Sequence, residues 1–134
     1  MDPSFTIYAQ ISPGELIDKI TILEIKDARI GDAHKLANVR YALKTLSETR
    51  ARTLAMSAEL ERLWSDLREV NENLWEIEDE IRFCEARKDF GPRFIELARA
   101  VYRTNDRRAA IKKDIDLLFG SAMTDEKSYE DPDG

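Results

Sequence analysis

The sequence predicts an all-α protein, a helical bundle with coiled-coil-like packing around one long central helix. Three observations predict it. Between Asp32 and Phe90 there is neither glycine nor proline. Across that stretch apolar side chains return every three or four residues, the period of an amphipathic helix. The flanking segments ISPGEL (11 to 16) and FGP (90 to 92) have the chemistry that starts and stops helices. With 134 residues, 43% hydrophobic and 36% charged, the chain can bury the core of one domain without crosslinks. That domain is expected over residues 1–123, followed by an acidic, mobile tail over 124–134.

The first element is an arm over residues 4–11. Phe5, Ile7, Ala9 and Ile11 alternate there with Thr6, Tyr8 and Gln10, the period of a β-strand. No second strand follows in the sequence. The arm therefore either pairs with its copy in another subunit or lies extended over the helices.

A helix is predicted over 13–30. Ser12 is its N-cap, Pro13 its first residue and Glu15 completes a capping box. Leu16, Ile17, Ile20, Ile22, Leu23 and Ile25 cover too wide an arc for a surface helix, which implies burial on more than one side. Gly31 ends it and Asp32 can cap the next.

The long central helix is expected over 33–88. Leu36, Val39, Leu43 and Leu46 share one register with Leu60, Leu63, Leu67, Val70, Leu74, Ile77, Ile81 and Cys84. Between the two groups Arg50, Thr53 and Ser57 occupy the seam. Unbroken phase favours a single helix, whereas a break between about Ser47 and Ser57 would fold the chain into a compact bundle. The last helix, over 92–119, opens at Pro92 and stops at Gly120, with Phe94, Ala98, Val101, Tyr102, Ala109, Ile115 and Phe119 on its inner side.

Charge is unevenly distributed. The net charge is -6, yet between Arg82 and Lys113 ten Lys or Arg stand against four Asp or Glu. The acidic total argues against general nucleic-acid affinity, while the local excess suggests a small anionic partner. A single cysteine, Cys84, excludes an intrachain disulfide and fits a reducing compartment. No apolar run approaches the ~20 residues of a membrane span, and Met1 and Asp2 do not begin a signal peptide. A cytoplasmic protein with no membrane partner is the expectation.

Arg99, Arg103 and Arg107 stand in one row of the last helix, with Arg108 and Lys112 in a neighbouring row and Tyr102, Asn105 and Asp106 beside them. Guanidinium rows suit bidentate contact with phosphate or carboxylate, and Asn or Asp can read a ribose hydroxyl or base edge. The competing reading pairs these arginines with Glu72, Glu76 and Asp79 of the long helix. Trp75, like Trp64, sits near the seam, where packing is the ordinary role. Trp75 could also stack on a flat ligand. Glu69 with Glu72 and Glu76 with Asp79 invite comparison with the magnesium motifs of all-α nucleotide pyrophosphatases. Here, however, they fall on consecutive turns of one helix and cannot surround an ion. His34 reads as exposed and Cys84 as buried, and no catalytic residue, metal site or cofactor is indicated.

The blocks ISPGELIDKITILEIK (11 to 26), LWEIED (74 to 79), ARAVYRTNDRRAAIKK (98 to 113) and GSAMTDEKSY (120 to 129) together resemble a family of short bacterial and phage proteins with no assigned function. That resemblance carries over no catalytic residue. In architecture the chain also resembles small oligomeric phage proteins that sequester nucleotide immune signals in basic, aromatic-lined pockets, an anti-defence role. The expected function is therefore a homo-oligomer that sequesters a small anionic, nucleotide-like ligand without turnover. It would use Arg99, Arg103, Arg107, Arg108 and Lys112 for charge, Tyr102 or Trp75 for stacking, and Asn105 and Asp106 for polar contacts. The alternative is an adaptor that binds a partner protein through its long helix, and a magnesium-dependent nucleotide hydrolase ranks third.

Overall fold

A computed structural model describes residues 5–121, and among these the chain forms four α-helices and no strand. They are α1 (Pro13–Arg29), α2 (Ala33–Thr53), α3 (Ala58–Ala86) and α4 (Pro92–Leu118). The tail expected over 124–134 lies outside the described residues.

The arm does not become a strand. Phe5 has a 3₁₀ backbone conformation and residues 6–12 have no regular structure. A single chain offers no edge with which to pair, and Phe5 and Ile7 remain 85% and 82% exposed.

Helix α1 starts at its cap. Ser12 Oγ accepts a hydrogen bond from the Glu15 backbone N–H at 3.1 Å, and Pro13 opens the helix. Its wide apolar arc has the expected consequence: the backbone of α1 comes close to each of the other three helices, whereas that of α2 comes close only to α1.

The expected single helix over 33–88 is instead two. α2 ends at Thr53 and α3 begins at Ala58, joined by residues 54–57. The reason lies in the register gap. A straight helix would set Arg50, Thr53 and Ser57 on the seam with nothing apolar to pack. Breaking there turns Leu54 into the core, where it is 7% exposed. It also frees Ser57 to cap α3, its Oγ accepting from Leu60 N–H at 3.1 Å. The end of α2 is further loosened because Thr45, Thr49 and Thr53 each donate a hydroxyl hydrogen bond to the carbonyl four residues back, a pattern that competes weakly with helix continuation.

The core joins Leu16, Ile17 and Ile20 of α1 with Leu60, Leu63, Leu67 and Val70 of α3 and Ile111 and Ile115 of α4. It therefore occupies the first half of α3 and the last part of α4. The remainder of the α3–α4 hairpin extends past this core, with Cys84 and Leu97 buried between its strands of side chains and Phe83, Ile95 and Tyr102 exposed. Lys88, in the left-handed region at φ 57°, and an Asp89 Oδ1 that accepts from Gly91 N–H at 3.1 Å make its turn. No helix among the described residues is long and apolar enough to cross a membrane.

Candidate functional site

Gly14, Asp18, Thr21 and Ile25 recur on one stripe of α1 and all are buried. A glycine is required at the first of these. A Cβ on Gly14 would lie 2.2 Å from the Lys112 carbonyl oxygen, so the absence of a side chain lets the start of α1 rest directly on the α4 backbone. The Gly14 N–H also donates to Asp116 Oδ1 at 2.7 Å, and Lys112 Nζ, buried beside it, pairs with Glu15 Oε2 at 2.7 Å. Together these contacts lock α1 to α4.

One turn further along, Asp18 is 1% exposed and its carboxylate is fully engaged. Oδ1 accepts from Arg108 Nε at 2.9 Å and from Asn71 Nδ2 at 3.0 Å, and Oδ2 accepts from Arg108 Nη2. Asn71 Nδ2 also reaches Thr21 Oγ1 at 2.9 Å, and that hydroxyl donates to the Asp18 carbonyl at 2.8 Å. A buried charge is tolerable only when paired and hydrogen-bonded in this way. Burial pushes the Asp18 carboxyl upward, but hydrogen bonds from Arg108 and Asn71 and the charges of Arg108 and Lys112 more than offset that and hold it below its ordinary value of 3.8. Asp18 therefore stays ionised near neutral pH and has no proton to donate. Its role is to fix the Arg108 guanidinium in one orientation.

Above this network lies a cavity of about 420 Å³. Ile22 and Ile25 of α1 form one wall, Leu74 and Trp75 of α3 another, Asn71 and Arg108 contribute polar groups, and Glu78, Asp79 and Arg82 complete the lining. Trp75 is held by Arg29, whose guanidinium lies 5.8 Å from the indole centroid while pairing with Glu76 at 2.9 Å. The lining carries two arginines and two carboxylates, but Arg108 is already compensated by Asp18, which leaves Arg82 against Glu78 and Asp79. A flat, partly apolar body with hydrogen-bonding edges fits such a lining better than a polyanion. Among the described residues, no group of three or more His, Cys, Asp or Glu is placed to hold a metal ion.

Of the nine residues selected from the sequence, the structure brings Arg108 and Trp75 together in this cavity. Lys112 is buried against Glu15. Arg99 and Arg103 line a separate hollow along α4 with Pro92, Ile95, Glu96 and Ala100. Arg107 and Tyr102 are exposed on α4, and half-buried Asn105 and Asp106 do not line the Trp75 cavity. Two of the three acidic residues expected to pair with the basic row have other partners. Glu72 pairs with Arg68 at 3.2 Å and Glu76 with Arg29. Glu80 pairs with Arg93, and the carboxylate that meets Arg108 comes from α1.

Asp18, Asn71 and Thr21 were not among the residues selected from the sequence. Their signal was positional: Asp18 and Thr21 fall inside the apolar arc of a helix read as buried on several sides, and a carboxylate there requires a cation.

Fold and site thus define a small all-α protein with a ligand-sized cavity built beside a half-buried arginine that a buried carboxylate compensates. The chain belongs to the family of unknown function DUF6165, whose model matches residues 7–134. No curated protein and no solved structure matches it significantly.

Proposed function

We propose that the protein is a binding module that holds a small, flat, nucleoside-like ligand in the Trp75 cavity without chemical turnover. The observation that carries this reading is the buried Asp18–Arg108–Asn71 network. It spends a fully paired charge cluster on orienting one guanidinium beside an indole-walled cavity. Pre-orientation of that kind lowers the entropy lost on binding. A heterocycle would lie against Trp75, its amino edge would donate to Glu78 or Asp79, and a carbonyl would meet Arg108 or Arg82. With Arg108 answered by Asp18, the acidic remainder of the lining disfavours a phosphorylated ligand, which narrows the nucleotide-like class expected from the basic row. An ionised Asp18 is no general acid, and the two lining groups able to act as base or nucleophile, Glu78 and Asp79, are the ones this reading assigns to the ligand's amino edge.

A thermal-shift panel of nucleobases, nucleosides and nucleoside monophosphates tests the reading, followed by chromatographic recovery of any ligand that binds. Stabilisation that Trp75→Ala reduces by about ten-fold in affinity, with intact ligand recovered, is the expected result. A chemically altered ligand would make the protein an enzyme.

The adaptor is the second reading. Phe83, Ile95 and Tyr102 leave apolar surface on the projecting hairpin, and Phe5 and Ile7 add more on the arm. The same surface supports a homo-oligomer. Sedimentation equilibrium addresses it, and a monomer at micromolar concentration would leave that surface to a different protein.

A further inference from the structure

We propose a second binding site, at the break between α2 and α3, for a small anion with a single charged headgroup and an apolar group: a carboxylate or a phosphate monoester. It is independent of the Trp75 cavity. A hollow of about 460 Å³ opens there, lined by Arg50 from the last turn of α2, Met56 from the connecting segment, and Glu61, Trp64, Ser65 and Arg68 from the start of α3.

Arg50 is the anchor. Its guanidinium lies over the Trp64 ring at 5.9 Å from the centroid and donates Nη1 to the Leu54 carbonyl at 3.3 Å. Among the described residues it forms no ion pair, and its buried Nε has no hydrogen-bond partner. Buried donors on charged groups are otherwise almost always satisfied, because leaving one unmet forfeits its hydration with no return. An oxyanion is the acceptor that matches both the charge and the geometry of a guanidinium edge.

The rest of the hollow defines the ligand further. Trp64 is held in place by its own donation from Nε1 to Glu24 Oε1 at 3.0 Å, which leaves the indole as a fixed apolar wall with Met56 beside it. Arg68 already engages Glu72 at 3.2 Å and Glu24 at 3.9 Å, so it adds field rather than a first contact. Ser65 supplies a hydroxyl donor. Glu61 sets the upper limit on charge, since a second negative group would meet it.

The test uses the full chain with Trp75→Phe, so that Trp64 is the only indole. Benzoate, phenyl phosphate and inorganic phosphate are titrated at constant ionic strength. Two signals are followed: Trp64 fluorescence and the Arg50 Nε–H NMR resonance, the latter assigned by its disappearance in Arg50→Lys. Saturable binding of benzoate or phenyl phosphate, with the Nε–H resonance moving downfield, is expected. The tighter of the two identifies the headgroup, and inorganic phosphate, lacking the apolar group, should bind more weakly. Arg50→Gln should weaken binding by at least about ten-fold, the loss of one charge-assisted hydrogen bond. Removing an exposed charge from the same helix with Lys44→Gln should leave it unchanged. Arg50→Lys keeps the charge but lacks Nε–H, so it should also lose affinity and provides a second reading if Arg50→Gln folds poorly. A response that does not saturate, an unmoved Nε–H resonance, or equal losses from Lys44→Gln and Arg50→Gln would overturn the proposal.

Discussion

Arg108 and Arg50 each line a hollow with a tryptophan of α3, and the two indoles, Trp75 and Trp64, lie on one side of that helix about 16 Å apart along its axis. Their charges are treated in opposite ways. Arg108 is answered inside the protein by Asp18, whose carboxylate accepts from its Nε and Nη2. Arg50 is answered by a carbonyl oxygen and an aromatic face, with one buried donor unmet. The difference separates two uses of a cation. A compensated arginine contributes shape and a fixed direction to its cavity but little net field, whereas an uncompensated one contributes attraction to an anion. Density of arginine in the sequence therefore says less about where an anion binds than whether each arginine has a carboxylate within the fold.

The sharpest way to break this contrast is at the α1–α4 contact that frames Arg108. Gly14→Ala would place a methyl 2.2 Å from the Lys112 carbonyl oxygen. Backbone cannot yield as a flexible side chain does, so the two helices must part, at an expected cost of about 3 kcal/mol or more. Chemical denaturation measures it. A loss below about 1 kcal/mol would mean that the Arg108 end is less rigid than the contrast requires.

Next in size is the charge pair itself. Asp18→Asn keeps the shape and removes the charge that answers Arg108, with an expected loss of about 2 to 3 kcal/mol; the partial exposure of Arg108, 28% of its side chain, keeps it below the full cost of stranding a buried ion. The pH dependence has a definite sign. Asp18 titrates below 3.8 when folded, so the native state binds fewer protons there than the unfolded chain. The stabilisation is complete above about pH 5 and is lost as pH falls below about 4. Denaturation midpoints of wild type and Asp18→Asn should therefore converge in acid. A constant gap from neutral pH down to pH 3 would show that the loss comes from packing and not from charge.

How much of this was legible in the sequence depended on whether a signal was local. The start of α1 was, because Ser12, Pro13 and Glu15 specify a helix terminus within four residues. The α2–α3 break was half legible. Arg50, Thr53 and Ser57 marked the place, but continuity of phase across them pointed to one helix, and the choice was made by Leu54 finding the core, a tertiary event. The site was least legible. Arg99, Arg103, Arg107 and Arg108 looked like one cluster by spacing, yet α4 is packed on one side by α1 and α3, so Arg108 turns inward to Asp18 while Arg99 and Arg103 line an outer hollow. Asp18 is 90 positions away in sequence, and no periodicity within either helix names its partner.

Two caps sharpen the comparison at a smaller scale. Ser12 and Ser57 each accept one helix N–H at 3.1 Å, the first at the Arg108 end and the second at the Arg50 end. Each Ser→Ala change should cost about 1 kcal/mol. Ser12 is buried and Ser57 exposed, so water can replace the lost acceptor only at the second, and Ser12→Ala should be the larger loss. The reverse order in denaturant titrations would indicate that the α2–α3 junction, not the α1–α4 contact, is the more tightly held end.

The smallest effect is expected at Arg50. Arg50→Met preserves the apolar stem that packs beside Trp64 and discards the guanidinium. It gives up the contact with the ring, about 0.5 to 1 kcal/mol, and a long hydrogen bond to the Leu54 carbonyl. It also removes a buried donor that has no acceptor, a relief of about 1 kcal/mol. The terms nearly cancel, so the stability of the ligand-free protein should change by less than about 0.5 kcal/mol. Thermal and chemical denaturation in a buffer free of phosphate and carboxylates measure this, since any bound anion would add its own stabilisation to the wild type. A loss above about 1.5 kcal/mol would place Arg50 with Arg108 as a cation whose work is done within the fold. A null effect in plain buffer that becomes a clear deficit once phenyl phosphate or benzoate is added is the outcome expected of an arginine held for a ligand.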